Sequence, residues 1–210
     1  MSGTSHVKRR GRPPKQVDSY SDTKTALIRA GLVTMTEKGF SASGLDEILR
    51  SVGVPKGSFY HYFQSKEDFG STLIETYGKA FSSNLDKYLL DESHLPLERF
   101  SYLIESFRKY MIEHDFQRGC LIGNLGQEMG ALPSVFRQQL IDVFEEWQKK
   151  TSLCFKEAQQ RGDISTNLDC AELARFFWVG WEGAILRAKL ERNATALDNF
   201  TDHFLKFLNK

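Results

Sequence analysis

Apolar residues recur at helical rather than alternating spacing along almost the whole chain. Ala26, Leu27, Ala30, Val33 and Met35 form the first such run, and Gly39 follows Glu37 and Lys38 where a C-terminal cap belongs. Ser43 then precedes Leu45, Ile48, Leu49 and Val52. Asp46 lies three residues on, in the place a capping box gives to Glu or Gln, and Gly53 closes this second helix. Pro55 can open a third, short helix whose Phe59 and Phe63 share one face. Ser65, followed by Glu67 and Asp68, caps a fourth that runs to about Leu90. Further helices are predicted over residues 96–115, 120–129, 133–160, 169–191 and 197–208. No series of alternating strands and no repeat of fixed period interrupts them. The pattern predicts an all-α fold of about nine helices, an N-terminal three-helix head followed by a larger helical domain.

Charge divides the chain. The 210 residues carry 28 Lys and Arg against 27 Asp and Glu, a net +1, but five of the cations (Lys8, Arg9, Arg10, Arg12, Lys15) precede the first acid. Residues 1–21, which hold Gly3, Gly11, Pro13 and Pro14 and almost no large apolar side chain, read as a flexible basic arm. Such asymmetry suits a nucleic-acid-binding or membrane-binding arm on a mildly acidic body. The apolar stretch 176–181 is bounded by Arg175 and Glu182, far short of the ~20 residues a membrane span needs. No apolar segment of signal-peptide length follows the basic N-terminus. Cys120, Cys154 and Cys170 are an odd set without close pairing or a companion Cys/His cluster, so neither a disulfide framework nor a metal site is expected, and the expected location is the cytoplasm.

The second helix, the tight connection at 51–54 and the helix from Pro55 make a helix-turn-helix candidate at about residues 45–64, since Gly53 can take the positive φ a sharp interhelical turn often requires. In such a unit the second helix enters the major groove while the first crosses the backbone. Lys56 can reach phosphate or a guanine edge, Gly57 admits close approach to DNA, and Ser58, Tyr60, His61 and Tyr62 offer donors at adjoining positions. The competing reading is an aromatic cluster that only seats this helix on the next. Consecutive helical residues point in different directions, so Tyr60, His61 and Tyr62 cannot all be core.

The run Gly-Val-Pro-Lys-Gly-Ser-Phe-Tyr-His-Tyr-Phe-Gln-Ser-Lys-Glu-Asp-Phe at residues 53–69 resembles the signature of TetR-family transcriptional regulators, and the likeness covers residues 22–81. The resemblance implies that Lys56, Gly57 and His61 lie toward bases or adjoining backbone, and that Ser58, Tyr62 and Lys66 hold phosphates. It implies that Tyr60 meets a thymine methyl or the backbone, and that Gly44 lies near DNA with only its backbone to offer. It further implies a homodimer on a palindromic double-stranded operator, whose residues 82–210 bind a small-molecule effector and, through the fourth helix, change the separation of the two heads. The last two helices would pair with their counterparts in a four-helix bundle. The sequence is compatible with that pairing: Gly180, Gly183 and Ala184 give small residues, Phe176, Phe177, Trp178 and Trp181 supply aromatic area beyond one protomer's needs, and Phe200, Phe204 and Phe207 recur on the last helix. An ordinary core is the alternative. In the arm, Arg10-Gly11-Arg12-Pro13 has the core of an AT-hook pattern, which places Arg10 and Arg12 in a narrow minor groove.

Residues 118–129 and 178–191 resemble the C-terminal domain of a TetR subgroup of acrylate-responsive and electrophile-sensing repressors. That likeness implies a sensing thiol at Cys120 and a nearby amine at Lys189; a lysine ammonium close to a thiol favours the thiolate. Alternatively, Cys120 is a small buried apolar residue, or one wall of a reversible pocket with Asn124, Trp181, Glu182 and Arg187. A carboxylate ligand would need a cation, from Arg118, Arg187 or Lys189. Cys154 and Cys170 read as structural, and Glu128 and Glu182 as pocket acceptors or ion-pair partners. With no nucleophile motif and no cofactor fingerprint, neither an enzyme nor a cofactor is expected. The other readings are a DNA-binding protein without effector control and, with less support, a thiol-dependent enzyme using Cys120 and His114.

Overall fold

The computed structural model describes residues 17–208, and these form nine helices and no strand. They are α1 (Val17–Ala42), α2 (Leu45–Ser51), α3 (Lys56–Phe59), α4 (Lys66–Leu89), α5 (Pro96–Glu113), α6 (Leu121–Gln127), α7 (Val135–Gln160), α8 (Cys170–Glu191) and α9 (Thr195–Leu208). The all-α expectation holds, and α1 begins at Val17, inside the stretch assigned to the arm. Arg10 and Arg12 lie outside the described residues.

Side-chain caps fix the starts of α4, α6 and α8. Ser65 Oγ accepts from the Asp68 N–H at 3.0 Å, so α4 starts at its predicted cap, and Asp169 Oδ1 accepts from the Ala171 and Glu172 N–H groups at 2.7 and 3.1 Å, which makes Asp169 the cap of α8. The second helix differs. Its cap is Gly44, without a side-chain bond, because the Ser43 hydroxyl is buried and donates back to the Gly39 carbonyl. Gly39 (φ 80°) and Gly53 (φ 65°) hold the left-handed conformations expected where α1 bends and where α2 turns into α3.

The head closes on a ring cluster of Phe59, Phe63 and Phe69, with centroids 4.7–5.4 Å apart. The inward face of α1 follows Leu27, Gly31 and Met35, and Val33, predicted on that face, is 38% exposed. Gly31 sets this face: a Cβ there would come within 2.5 Å of the Phe69 ring.

Helix α4 continues from the head into the body, where α7 and α8 meet through Trp147, Thr151, Phe155, Phe177, Trp178 and Trp181, none more than 1% exposed. The Trp178 indole N–H donates to Thr151 Oγ1 at 3.1 Å, satisfying one buried donor. These aromatics belong to the protomer's own core, so of the four aromatics on α8 credited to a dimer face only Phe176 remains outward, 56% exposed. The small residues divide likewise. Ala184 is buried, a Cβ on Gly180 would come within 2.2 Å of the Phe200 ring, and Gly183 alone faces open space. The outward stripe of α8 is therefore Phe176, Val179, Gly183, Leu186 and Leu190, at alternating three- and four-residue spacing. No helix among the described residues is long and apolar enough to cross a membrane.

Candidate DNA interface and effector site

At the tip of the head, Gly44, Lys56, Gly57, Tyr60 and His61 are exposed, while Ser58 and Tyr62 are half-buried. Helix α3 is a single turn, anchored from below by Phe59, whose ring takes the Tyr60 ring edge-on at 5.3 Å. A Cβ on Gly57 would meet nothing within 4 Å, so the backbone there is open to approach. The Lys56 ammonium lies 3.2 Å from Asp46 across the turn, both groups largely exposed, a pair that water weakens to a small contribution. Lys66 is placed differently. Its ammonium donates to the Phe40 carbonyl at 2.8 Å and lies 4.4 Å from the centre of the Phe40 ring. Burial lowers its pKa and the nearby Glu128 carboxylate opposes that shift. Lys66 thus serves the junction between head and body.

In the body, a cavity of about 780 Å³ opens between α4, α5 and α8, with Cys120, at the start of α6, in its wall. Its wall is aromatic, with Tyr77, Tyr88, Tyr102, Tyr110, Trp178 and Trp181 among the lining residues, and it carries Glu105, Glu113 and Glu182 against one cation, Lys109. Cys120, Trp181 and Glu182 reach this wall as the sequence suggested. Asn124, Arg187 and Lys189 do not line it. Arg187 is 66% exposed and pairs with Glu191 on its own helix, so it is no cavity residue. Arg118 donates to Glu37 at 2.9 Å, and Lys189 to Asn124 Oδ1 at 3.3 Å. The three cations offered for a carboxylate ligand are therefore engaged elsewhere.

The electrostatics of the thiol also differ from the expectation. Cys120 caps α6, its Sγ accepting from the Gly123 N–H at 3.4 Å. Burial pushes the thiol well above its ordinary pKa and the Glu182 carboxylate adds to the rise, outweighing the Gly123 N–H. Lys189 does not reverse this, and its own pKa is lowered by burial. The thiol is held neutral rather than as a thiolate. Glu182 is in turn pushed up to about 7 by burial, against a hydrogen bond from Cys120. The Tyr77 hydroxyl, raised by burial and facing both groups, receives the Leu121 N–H. Cys154 and Cys170 are buried, and burial pushes the Cys154 thiol up to about 12.

Residues 27–69 match the family description "Bacterial regulatory proteins, tetR family", and residues 96–204 match "Tetracyclin repressor-like, C-terminal domain". The chain is 53% identical over 196 residues to the transcriptional regulator AcuR of Cereibacter sphaeroides, covering 93% of this chain and 89% of that one. It belongs to the TetR family of transcriptional regulators. The repressor DhaR of a Mycobacterium species is 37% identical over 174 residues, covering 83% of this chain and 86% of its own. The crystal structure of a regulatory protein TetR from Rhodobacter sphaeroides superposes with a TM-score of 0.85 at 53% identity, covering 87% of this chain and 97% of that one. The reduced form of Escherichia coli NemR superposes at 0.76 with 27% identity, covering 87% and 95%. The chain is thus a DNA-binding transcriptional regulator with a ligand-binding C-terminal domain, and not an enzyme.

In this regulator the short helix α6 links the cavity to the bend of α1. Cys120 caps its start at the cavity, and from the same helix Asn124 Nδ2 donates to the Thr36 carbonyl at 2.8 Å. Glu128, just past its end, accepts from the Phe40 and Ser41 N–H groups at 3.0 and 2.9 Å. A Cβ on Gly39 would overlap that carboxylate, so the bend in α1 is shaped around it. Glu128, read from the sequence as a pocket acceptor or ion-pair partner, does not line the cavity, and spacing could not reveal its partners, backbone amides 87 and 88 residues away. The one local signal was Gly39 itself.

Proposed function

We propose that this regulator is a homodimeric repressor that reads a palindromic operator and is released by a small molecule, of the acrylate or another electrophilic type, entering the α4–α5–α8 cavity and meeting Cys120. The observation that carries this reading is α6, one short helix bonded to the cavity thiol at its start and to the bend of α1 at its end. A ligand that displaces α6 shifts the seat of the head, provided it binds the released arrangement better than the DNA-bound one. In the head, Lys56, Gly57 and His61 face bases or adjoining backbone, Ser58 and Tyr62 hold phosphates, Tyr60 meets a thymine methyl or backbone, and Gly44 offers its backbone. Lys66 adds a phosphate contact on swinging away from Phe40. Arg10 and Arg12 follow the minor groove. The outward α8 stripe, continued by Phe207 of α9, supports pairing through the last two helices. Asn124 and Lys189 act behind the cavity wall, and the regulator works in the cytoplasm, where its operator lies.

The test is a fluorescence-anisotropy titration of operator DNA against salt, with and without acrylate or acrylamide. Steep salt dependence, a symmetric footprint and loss of affinity on adding the compound are expected. Equal affinity for unrelated DNA would refute the repressor reading, and release of a Cys120→Ser variant as readily as the parent would refute the role of the thiol.

A further inference from the structure

The wall of the cavity brings two reactive groups, from α6 and α8, against one residue, Gly123. Cys120 Sγ accepts from the Gly123 N–H, and the Glu182 carboxylate lies against the same residue so closely that a Cβ on Gly123 would overlap it. Glu182 Oε1 is shut off from solvent and has no hydrogen-bond partner. A buried carboxylate oxygen with an unused lone pair is costly unless something brings it a proton or a donor. The amine that could instead draw the proton from the thiol, Lys189, is turned to Asn124 and does not line the cavity.

We infer that Glu182 is the proton acceptor through which Cys120 adds to a neutral electrophilic alkene bound in the cavity, an inference that rests on the covalent reading proposed above. As Sγ bonds to the β-carbon of the alkene, the S–H bond breaks and its proton passes to the Glu182 carboxylate. The π electron pair moves toward the activating carbonyl, and the α-carbon then takes the proton back from Glu182. The product is a thioether that keeps every atom of both reactants, and nothing is oxidised or reduced. No free thiolate is needed, since the proton leaves as the carbon–sulfur bond forms.

Other titratable groups surround the pair. Tyr77 of α4 faces both, and Tyr110 of α5, on the same cavity wall, acts on Tyr77. Glu105, Lys109 and Glu113 share the cavity wall from α5. Glu145 of α7 and Arg175 of α8 border a second cavity of about 580 Å³ on the other side of Glu182. Lys189 of α8 feels the charge of Cys120. Of the carboxylates lining these two cavities, Glu182 is the one that acts on the Cys120 thiol, and it keeps a buried oxygen unused.

The test treats the full-length protein with acrylamide between pH 5.5 and 9 and measures the rate of adduct formation at Cys120 by peptide mass mapping. The parent rate is expected to climb about tenfold per pH unit and to flatten above the Glu182 pKa of about 7. Glu182→Gln should react about a hundredfold more slowly at pH 7.5. The opposite sign overturns the inference: if the carboxylate only repels a thiolate, removing its charge makes Glu182→Gln react as fast as the parent or faster. A parent rate that keeps climbing through pH 9 overturns it too, and does not depend on how the variant folds. Absence of any adduct at Cys120 removes the covalent reading and this inference together, whereas an adduct whose rate ignores Glu182 removes the inference alone.

Discussion

Replacing Glu128 with alanine tests whether α6 holds the head in register. The carboxylate accepts from the Phe40 N–H at 3.0 Å and the Ser41 N–H at 2.9 Å, and it supplies the negative charge that opposes the burial cost of Lys66. A hydrogen bond to a charged group contributes about 1.5–3 kcal/mol, and less where water can take its place. Ser41 is exposed and can turn to solvent, whereas Phe40 is buried and its N–H is shielded. One bond near the middle of that range and one strongly discounted give a loss of about 2–3 kcal/mol. For a chain of this size each kcal/mol shifts the melting temperature by about 2–4 °C, so a drop of about 5–10 °C is expected by scanning calorimetry. Glu128→Gln keeps one acceptor and should lose about half as much. The same two variants titrated with operator DNA should weaken binding in the same order, because the bend of α1 fixes how α2 and α3 are presented. A melting temperature within 1 °C of the parent for Glu128→Ala would refute the reasoning.

Other contacts give three further outcomes. Glu182 has a folded pKa raised from 4.5 to about 7, so its contribution is fully present below pH 4.5 and is lost as pH rises through 7. Glu182→Gln should therefore be more stable than the parent by about 2–3 kcal/mol at pH 8 and by almost nothing at pH 4.5, as measured by urea unfolding. Gly180→Ala forces a methyl into the Phe200 ring, which should cost about 1–3 kcal/mol and displace α9, weakening the dimer in sedimentation equilibrium; unchanged association would count against pairing through α8 and α9. Lys56→Ala should weaken operator binding and lower the slope of log affinity against log salt by about one if it meets a phosphate, or relax the preference at one base pair if it meets a guanine.

The head was legible in the sequence because its signals are local. Gly53 had to turn left-handed, Ser65 had an oxygen to offer the first amides of a helix, and Phe59 and Phe63 lay four residues apart on one face; each of these depends on neighbours within a turn or two. The body was legible only in outline. Its aromatics were counted correctly but assigned to the wrong boundary, since whether Trp178 and Trp181 face a partner or their own α7 depends on rotation about the α8 axis. That rotation is set by where Gly180 admits the Phe200 ring. Val33 was misplaced for the same reason, because Gly31 marks the contact and a glycine carries no weight in a hydrophobic pattern.

The thiol site illustrates the stronger limit, since proximity in sequence says nothing about which of several charges a side chain meets. Lys189 and Glu182 both lie on α8 and both approach Cys120, seven residues and two turns apart. The likeness to the TetR subgroup implied the lysine as partner, and a cation close to a thiol favours the thiolate. In the fold Lys189 is drawn away by Asn124, whose own amide is committed to the Thr36 carbonyl of the head. The carboxylate is left against the sulfur. The hydrogen bond that ties α6 to the head therefore also decides which charge Cys120 meets, so a ligand that frees Asn124 from Thr36 would release Lys189 toward the thiol. Loosening the head and changing the reactivity of Cys120 are then two effects of one movement of α6. Asn124→Ala should accordingly both weaken operator binding and quicken alkylation of Cys120, and a variant that did only one of these would separate them.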